Sequence, residues 1–366
     1  MRKRVLILAG IPWDTTIQRH HNFANLLNEL DYEVFFVEKI PSSKFTVKKL
    51  VGRIRKKNRG KKDHLIVNRN NIRVINHFFL NPIRGIFWAI NKYQVRKLVE
   101  KVGTDFEIVI NYLPVNTTCN ILENIKAKII IYDCVRDFEN WGGYPADVNV
   151  IEKKLVLSSS IILTDSYYLT DKIRNRYNEA NVLQILPTVD EKQMSILKNS
   201  RLKNEINNIL YFGAVGNHID VHILNKLADD GYQVHIIGEI HQGIHLNNRI
   251  INHGFISDLE LLAREIVNYA DAIIIPYKGN MDGVIPAKLM QCIATGLPIF
   301  INKFYDSKML NQYLYLYEDY KDLNRLIEQF DIERHKLFLK DMINFSRINS
   351  EECQYLKLKS VLDQFK

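Results

Sequence analysis

The feature that most constrains this chain is a rhythm of short β-branched runs separated by amphipathic segments, and the rhythm is run through twice. Val5 to Leu8, Glu33 to Glu38, Ile72 to Asn76, Ile108 to Asn111, Ile129 to Tyr132 and Ile161 to Asp165 read as strands, with Gln18 to Glu29 as the first helix. The series then resumes. Asn208 to Gly213, Val234 to Gly238, Ile250 to Asn252, Ala272 to Pro276 and Pro298 to Asn302 repeat the strand role. Helices are expected between them over Val221 to Asp230, Leu259 to Tyr269 and Pro286 to Thr295, and the polar stretch Asp190 to Asn207 serves as linker. Runs that are apolar throughout, rather than alternating, suit strands buried on both faces, hence parallel sheets flanked by helices. The expected class is α/β, with two consecutive doubly wound sheets and a cleft between the carboxyl ends of their strands, where open sheets bind ligands.

A chain of 366 residues has room for two such cores, and 46% apolar with 25% charged residues is ordinary for a globular protein. The four cysteines form no Cys-x-x-Cys pair, which fits a reducing compartment better than a disulfide or zinc framework. The apolar run after Arg4 reaches only Ile11, so it reads as a strand rather than a leader, and no uncharged run is long enough to span a bilayer. Charge is unevenly spread. Residues 1–100 hold 21 Lys and Arg against 7 Asp and Glu, +14, whereas the rest holds 29 against 34, −5. Nine basic residues fall within 48–62, a run that suits a solvated loop, an anionic membrane surface or a nucleic acid. No aromatic residue is interleaved there for base stacking, which speaks against nucleic acid. The stretch from Phe78 to Ile90 is aromatic-rich and suits either a buried helix or a lipid interface.

The segment richest in chemistry runs from Tyr277 to Pro298. A strand ending at Pro276 opens into a glycine-containing loop, Pro286 suits the first position of a helix, and the free N–H groups of that helix start can hold an anion. Lys288, in the first turn, would bring a positive charge to a diphosphate, and Gln291, on the same face, could hydrogen-bond ribose hydroxyls. Gly296-Leu297-Pro298 ends the helix through a left-handed cap.

Pro286-Ala287-Lys288-Leu289 followed by Ala294-Thr295-Gly296-Leu297-Pro298 resembles the donor-binding helix of GT-B glycosyltransferases of the family 4 type. Ile209 to Val215, with Gly213, resembles the strand and glycine turn that open the second domain, and His235 to Glu239, with Gly238, its next strand. Asn252-His253-Gly254-Phe255 is similar to the loop near the nucleotide base, and Ala270 to Tyr277 to the strand that delivers the donor loop. The likeness is to bacterial enzymes that build surface polysaccharide. It implies two Rossmann-like domains facing a central cleft: 1–187 plus 345–366 for the acceptor, and 188–344 for the nucleotide sugar. The implied donor contacts are Gly213, Gly238, His253, Tyr277, Lys278, Val284, Ile285, Lys288 and Gln291. Two departures stand out: Gln291 occupies the place of the family's ribose-binding Glu, and Gly283 the place of a second Glu.

In the first domain, Gly10, Trp13, Arg19 and His20 resemble the loop after the first strand and the helix that follows, on the acceptor side. His20 and His21 can equally be buried structural residues. Asp133, Arg136 and Asp137 follow a strand and project where acceptor and reacting sugar would meet. Glycosyl transfer needs a stabilised leaving diphosphate and, in some stereochemical courses, a base. Lys288 and Lys278 suit the first task, and Asp133 or Asp137 the second, unless the two acids only build a strand-end turn. No Asp-x-Asp occurs, so no metal and no cofactor are expected besides the donor substrate, a nucleoside diphosphate sugar such as a UDP-sugar. The resemblance implies a retaining transferase acting on a glycan or lipid-linked acceptor. Its expected place is cytoplasmic, peripheral at the inner membrane face through the basic segment 48–62. A non-catalytic partner subunit and a sugar-nucleotide epimerase of the same frame are the alternatives, because a frame does not fix an activity.

Overall fold

Uninterrupted β-branched runs such as Val-Leu-Ile-Leu and Ala-Ile-Ile-Ile can bury both faces only inside a parallel sheet, and that is where they lie. The computed structural model describes residues 2–15, 17–43, 66–69, 71–81 and 86–365. The basic segment 48–62 lies outside the described residues. The chain divides into two compact units, residues 1–165 with 169–184, and residues 166–168 with 185–366.

The first unit is built on strands β1 (Arg4–Leu8), β2 (Glu33–Glu38), β3 (Ile66–Arg69), β4 (Ile72–Asn76), β5 (Asp105–Asn111), β6 (Lys126–Cys134), β7 (Ile161–Thr164) and β8 (Val182–Gln184). Their order is β3-β4-β2-β1-β5-β6-β7-β8, parallel except for the antiparallel pair β3 and β4. The second unit carries β9 (Asn208–Phe212), β10 (Gln233–Ile237), β11 (Ile251–Asn252), β12 (Ala272–Ile275), β13 (Ile299–Asn302) and β14 (Tyr315–Tyr317), in the all-parallel order β11-β10-β9-β12-β13-β14. Each sheet reverses its winding once, beside β1 in the first unit and beside β9 in the second. Loops that follow strands on either side of such a reversal diverge and leave a crevice at the carboxyl edge.

Every strand expected from sequence is present. β3, β8 and β14 are additional, and each is four residues or shorter. The expected linker 190–207 contains the helix Glu191–Leu197, because Asp190 accepts a hydrogen bond from Gln193 N and caps its start. Residues 345–366 belong to the second unit, where the sequence reading gave them to the first. Helix Ile332–Ile348 buries Met342 and Phe345 in the second unit's core, and Ser350 forms a bridge with Val189 before capping helix Glu351–Asp363. The aromatic stretch is divided: Phe79 and Leu80 are buried, and helix Ile86–Val102 buries Asn91, Val95, Leu98 and Val102 while leaving Trp88 and Ile90 exposed. No helix among the described residues is long and apolar enough to cross a membrane.

Candidate functional site

The carboxyl ends of β9 and β12 flank the reversal point of the second sheet, and four of the residues singled out from sequence, Gly213, Gly238, Tyr277 and Lys288, collect there. Gly213 follows β9 with φ +116, a conformation in which a β-carbon is strained. Its N–H donates to Ile237 O at 2.8 Å, which draws the turn against the end of β10 and Gly238. Helix Ala287–Thr295 points its start at the same place. Pro286 is the N-cap residue, with ψ 130, and not the first helical residue expected from sequence, so the helical N–H groups begin at Ala287. Gly296 closes the helix in the left-handed conformation, as its sequence implies.

Lys288 reaches from the first turn of this helix to donate to Phe212 O at 2.7 Å, with its ammonium 4.0 Å from the centre of the Tyr211 ring and 5.7 Å from that of Tyr277. Among the described residues no carboxylate pairs with it. Burial lowers its pKa to about 7, because a charged ammonium among rings and a single carbonyl is poorly solvated. Such a cation is left in want of an anion.

The loop between β12 and this helix is fixed by two carboxylates. Asp282 accepts from Tyr305 N at 2.7 Å, while the wholly buried Asp306 accepts from Gly283 N at 3.0 Å and from Tyr167 N and Tyr168 N. Burial raises the pKa of Asp306 despite those three donors. Within this loop Tyr277 N donates to Asn302 Oδ1, Lys278 is exposed, and Val284 and Ile285 pack on the core beneath. Gln291 is already engaged: its Nε2 donates to Gln193 Oε1 at 3.1 Å, and Gln193 in turn donates to Leu259 O. His253 also has partners. Its ring stacks on Tyr269 at 4.1 Å and its Nε2 lies 3.0 Å from Nδ1 of His235, which itself reaches Asn208.

In the first unit Gly10 lies against Leu113 and the carbonyl of Ile40. Trp13 donates its N–H to the buried carboxylate of Glu38 at 2.7 Å, and its ring meets Phe36 and His21 edge-on. His21 accepts from Gln18 N and reaches Trp13 O through Nε2, so it pins the loop to the first helix, Arg19–Glu29. His20 is buried, stacked on Tyr112 at 3.8 Å, and its pKa falls to about 3, first from burial and then from His21 and Arg19. Arg19 makes an ion pair with the fully buried Asp133 at 2.8 Å, close to Tyr112. Asp137 accepts from both Asn140 N and Nδ2 and pairs with Lys172, which also holds Glu139. Arg136 has no carboxylate partner among the described residues; it donates to the Tyr144 hydroxyl and lies over Trp141.

Gly213, Gly238, Tyr277 and Lys288 thus converge around one reversal point, and Gly10, Arg19, His20 and Asp133 around the other. Glu38, Gln193 and Asp306 escaped the sequence reading. The Asp190 cap was the only local signal, for Gln193; Asp306 has only distant partners, and Glu38 joins its neighbour Lys39 to Trp13 and Asn76, 25 and 38 residues away.

No family model matches the sequence, and no curated protein does either. Solved structures do match over the whole chain. Sucrose-phosphate synthase from Thermosynechococcus elongatus is 11% identical with a TM-score of 0.69, covering 100% of this chain and 99% of its own. A glycosyltransferase from Rickettsia africae is 12% identical with a TM-score of 0.66, covering 100% and 98%. Anabaena HepE, solved in complex with UDP and glucose, is 12% identical with a TM-score of 0.61, covering 99% and 100%. At this identity the likeness establishes the fold: two Rossmann-like units of the GT-B type.

Proposed function

We propose that the second unit binds a nucleoside diphosphate sugar, with uracil as the base, and that the chain transfers the sugar to a glycan or lipid-linked acceptor. The observation that carries this reading is Lys288: an ammonium with no counter-ion among the described residues, held at the start of a helix beside a turn that only glycine adopts without strain, at the sheet's reversal point. A diphosphate there would meet helical N–H groups and one lysine, which together stabilise the charge released as the glycosidic bond breaks. This chemistry needs no metal, and the reading includes a metal-independent, retaining reaction. Asp133 and Asp137 are each tied to a cation, so they fit positioning and field-setting better than proton abstraction. The match to a structure solved with UDP and glucose and to a glycosyltransferase supports the reading. Residence at the cytoplasmic membrane face through segment 48–62 belongs to the same proposal and rests on sequence charge.

Calorimetric titration with UDP, GDP, ADP and TDP tests it. Binding of at least one, weakened tenfold or more in Lys288→Ala, is expected. A folded protein that binds none of them overturns the reading.

One observation favours a second reading, a donor-binding partner subunit without activity of its own. The Gln291 amide is neutral and gives one of its two N–H donors to Gln193, so a ribose contact there has no charge assistance. Transfer by the chain alone removes that alternative, and conversion of free nucleotide sugar without an acceptor would indicate an epimerase instead.

A further inference from the structure

Two histidines that neither motif nor resemblance singled out stand beside the Lys288 site. A β-carbon on Gly216 would lie 3.2 Å from Nδ1 of His218 and 3.0 Å from Nδ1 of His241, so the two imidazoles flank the bare face of this glycine. The loops that carry them are stitched together through the backbone. Val215 N donates to Glu239 O and His241 N to Val215 O, which ties the loop after β9 to the loop after β10. Lys278 N donates to His218 O and Asp220 N to Pro276 O, which ties it to the loop after β12. This framework holds both rings at the carboxyl edge where Lys288 emerges.

Both side chains are exposed, and among the described residues neither makes a hydrogen bond or an ion pair. His218 lies 5.9 Å, ring centre to ring centre, from Tyr277, the ring that also neighbours the Lys288 ammonium. Tyr277 from the loop after β12 lies nearest His218, Lys288 from the helix acts on it, and Lys278, next to Tyr277 in the same loop, is exposed. The acids on the two loops are Asp220, which caps helix Val221–Asp229 by accepting from His222 N, and the exposed Glu239. Neither pairs with an imidazole. The pKa of His218 is lowered, by burial first and by Lys288 and His241 after it.

We propose that His218 and His241 form a titratable extension of the anion site, taking up protons as a diphosphate binds next to Lys288. The inference rests on the donor reading above. An incoming doubly charged diphosphate reverses the local potential, so the imidazolium form, which donates from both nitrogens, becomes the better ligand. Donor binding should then tighten as pH falls from 8 to 6.

The test is calorimetry with UDP-glucose, GDP-glucose, ADP-glucose and TDP-glucose at pH 6.0, 7.0 and 8.0, in two buffers of different ionisation heat. The phosphates of these esters do not titrate across that range, so any proton taken up enters the protein. Proton uptake on binding is expected in the wild type, with affinity several-fold higher at pH 6.0 than at 8.0. His218→Gln with His241→Gln should take up fewer protons than the wild type, the remainder entering Lys288, and should show a shallower pH dependence. Equal uptake in wild type and double variant overturns the inference alone. If no donor binds the folded wild type, the donor reading and the inference fall together. The two variants are exposed and unpaired, and unchanged thermal unfolding would show that they leave the fold intact.

Discussion

A β-carbon placed on Gly238 would lie 2.0 Å from the carbonyl oxygen of Gly213. The ends of β9 and β10 therefore touch backbone to backbone, and no side chain fits between them. Gly238→Ala must push the Gly213 turn aside, and that turn presents the carbonyl of Phe212 to Lys288. Gly213→Ala adds strain at φ +116 and brings a methyl to 2.8 Å from the Lys288 ammonium. Each substitution should cost about 1–3 kcal/mol in urea unfolding and reduce nucleotide affinity. Unaltered affinity in a folded Gly238→Ala protein would show that the turn is not part of the site.

The lowered pKa of Lys288 carries a stability prediction. Its folded value, about 7, lies below the usual lysine value, so between pH 7 and about 10 the unfolded chain holds a proton that the folded chain has released. Stability of the ligand-free protein should rise with pH across this window. Lys288→Met keeps the stem and removes the charge, and should stabilise the empty protein at pH 7 by about 1–3 kcal/mol while weakening nucleotide binding. Equal loss of stability and binding would instead mark Lys288 as a structural residue.

His20 has the same sign in a more acidic window. Its pKa is about 3 in the folded chain and near 6.5 when unfolded, so the stability given by the neutral ring is complete above pH 6.5 and is lost as pH falls towards 3. Urea midpoints should drop below pH 6.5, by up to about 1.4 kcal/mol per pH unit from this group. His20→Phe preserves stacking on Tyr112 and should flatten that limb. An acid limb of the same slope in the variant would place the titrating group elsewhere.

Asp306 joins Gly283 to Tyr167 and Tyr168 through backbone hydrogen bonds to its two oxygens. Asp306→Asn keeps one acceptor and turns an N–H₂ towards N–H donors, leaving at least one of them unsatisfied in a buried place. The expected cost is about 1–3 kcal/mol in thermal or urea unfolding, with faster hydrogen exchange at Gly283. Exchange there as slow as in the wild type would mean that other contacts hold the loop.

How much of this was legible in sequence follows from the range of each signal. β-branched runs such as Ile273 to Ile275 announce buried parallel strands because both faces must be apolar, and Gly296 announces its cap through its own conformational freedom. Signals that need a distant partner were silent. β3, β8 and β14 are short edge strands defined by pairing, and their composition is unremarkable. Asp306 reads as one acid among 41, since its three donors lie 23 and about 139 residues away. Asp133 was located correctly at a strand end, yet its Arg19 partner, 114 residues upstream, could not be foreseen from spacing.

Gln291 offers the sharpest contrast between likeness and structure. If a ribose lies here, as proposed, a glutamate would accept its hydroxyl hydrogen bonds with charge assistance, and such bonds are roughly twice as strong as neutral ones. In this chain the amide instead donates to Gln193 Oε1, and Gln193 is held by Leu259 O and by the cap of its own helix. Gln291→Glu removes that donor and leaves the carboxylate facing the oxygen of Gln193, which must turn its amide and forsake Leu259. Two effects therefore oppose each other. If the helix face binds ribose, the gain in charge-assisted bonding, about 1 kcal/mol, should outweigh a slightly smaller structural loss, and nucleotide affinity should rise several-fold while urea stability falls. A fall in stability with unchanged affinity would show that Gln291 serves only to dock helix Glu191–Leu197, and that the ribose is held by other residues.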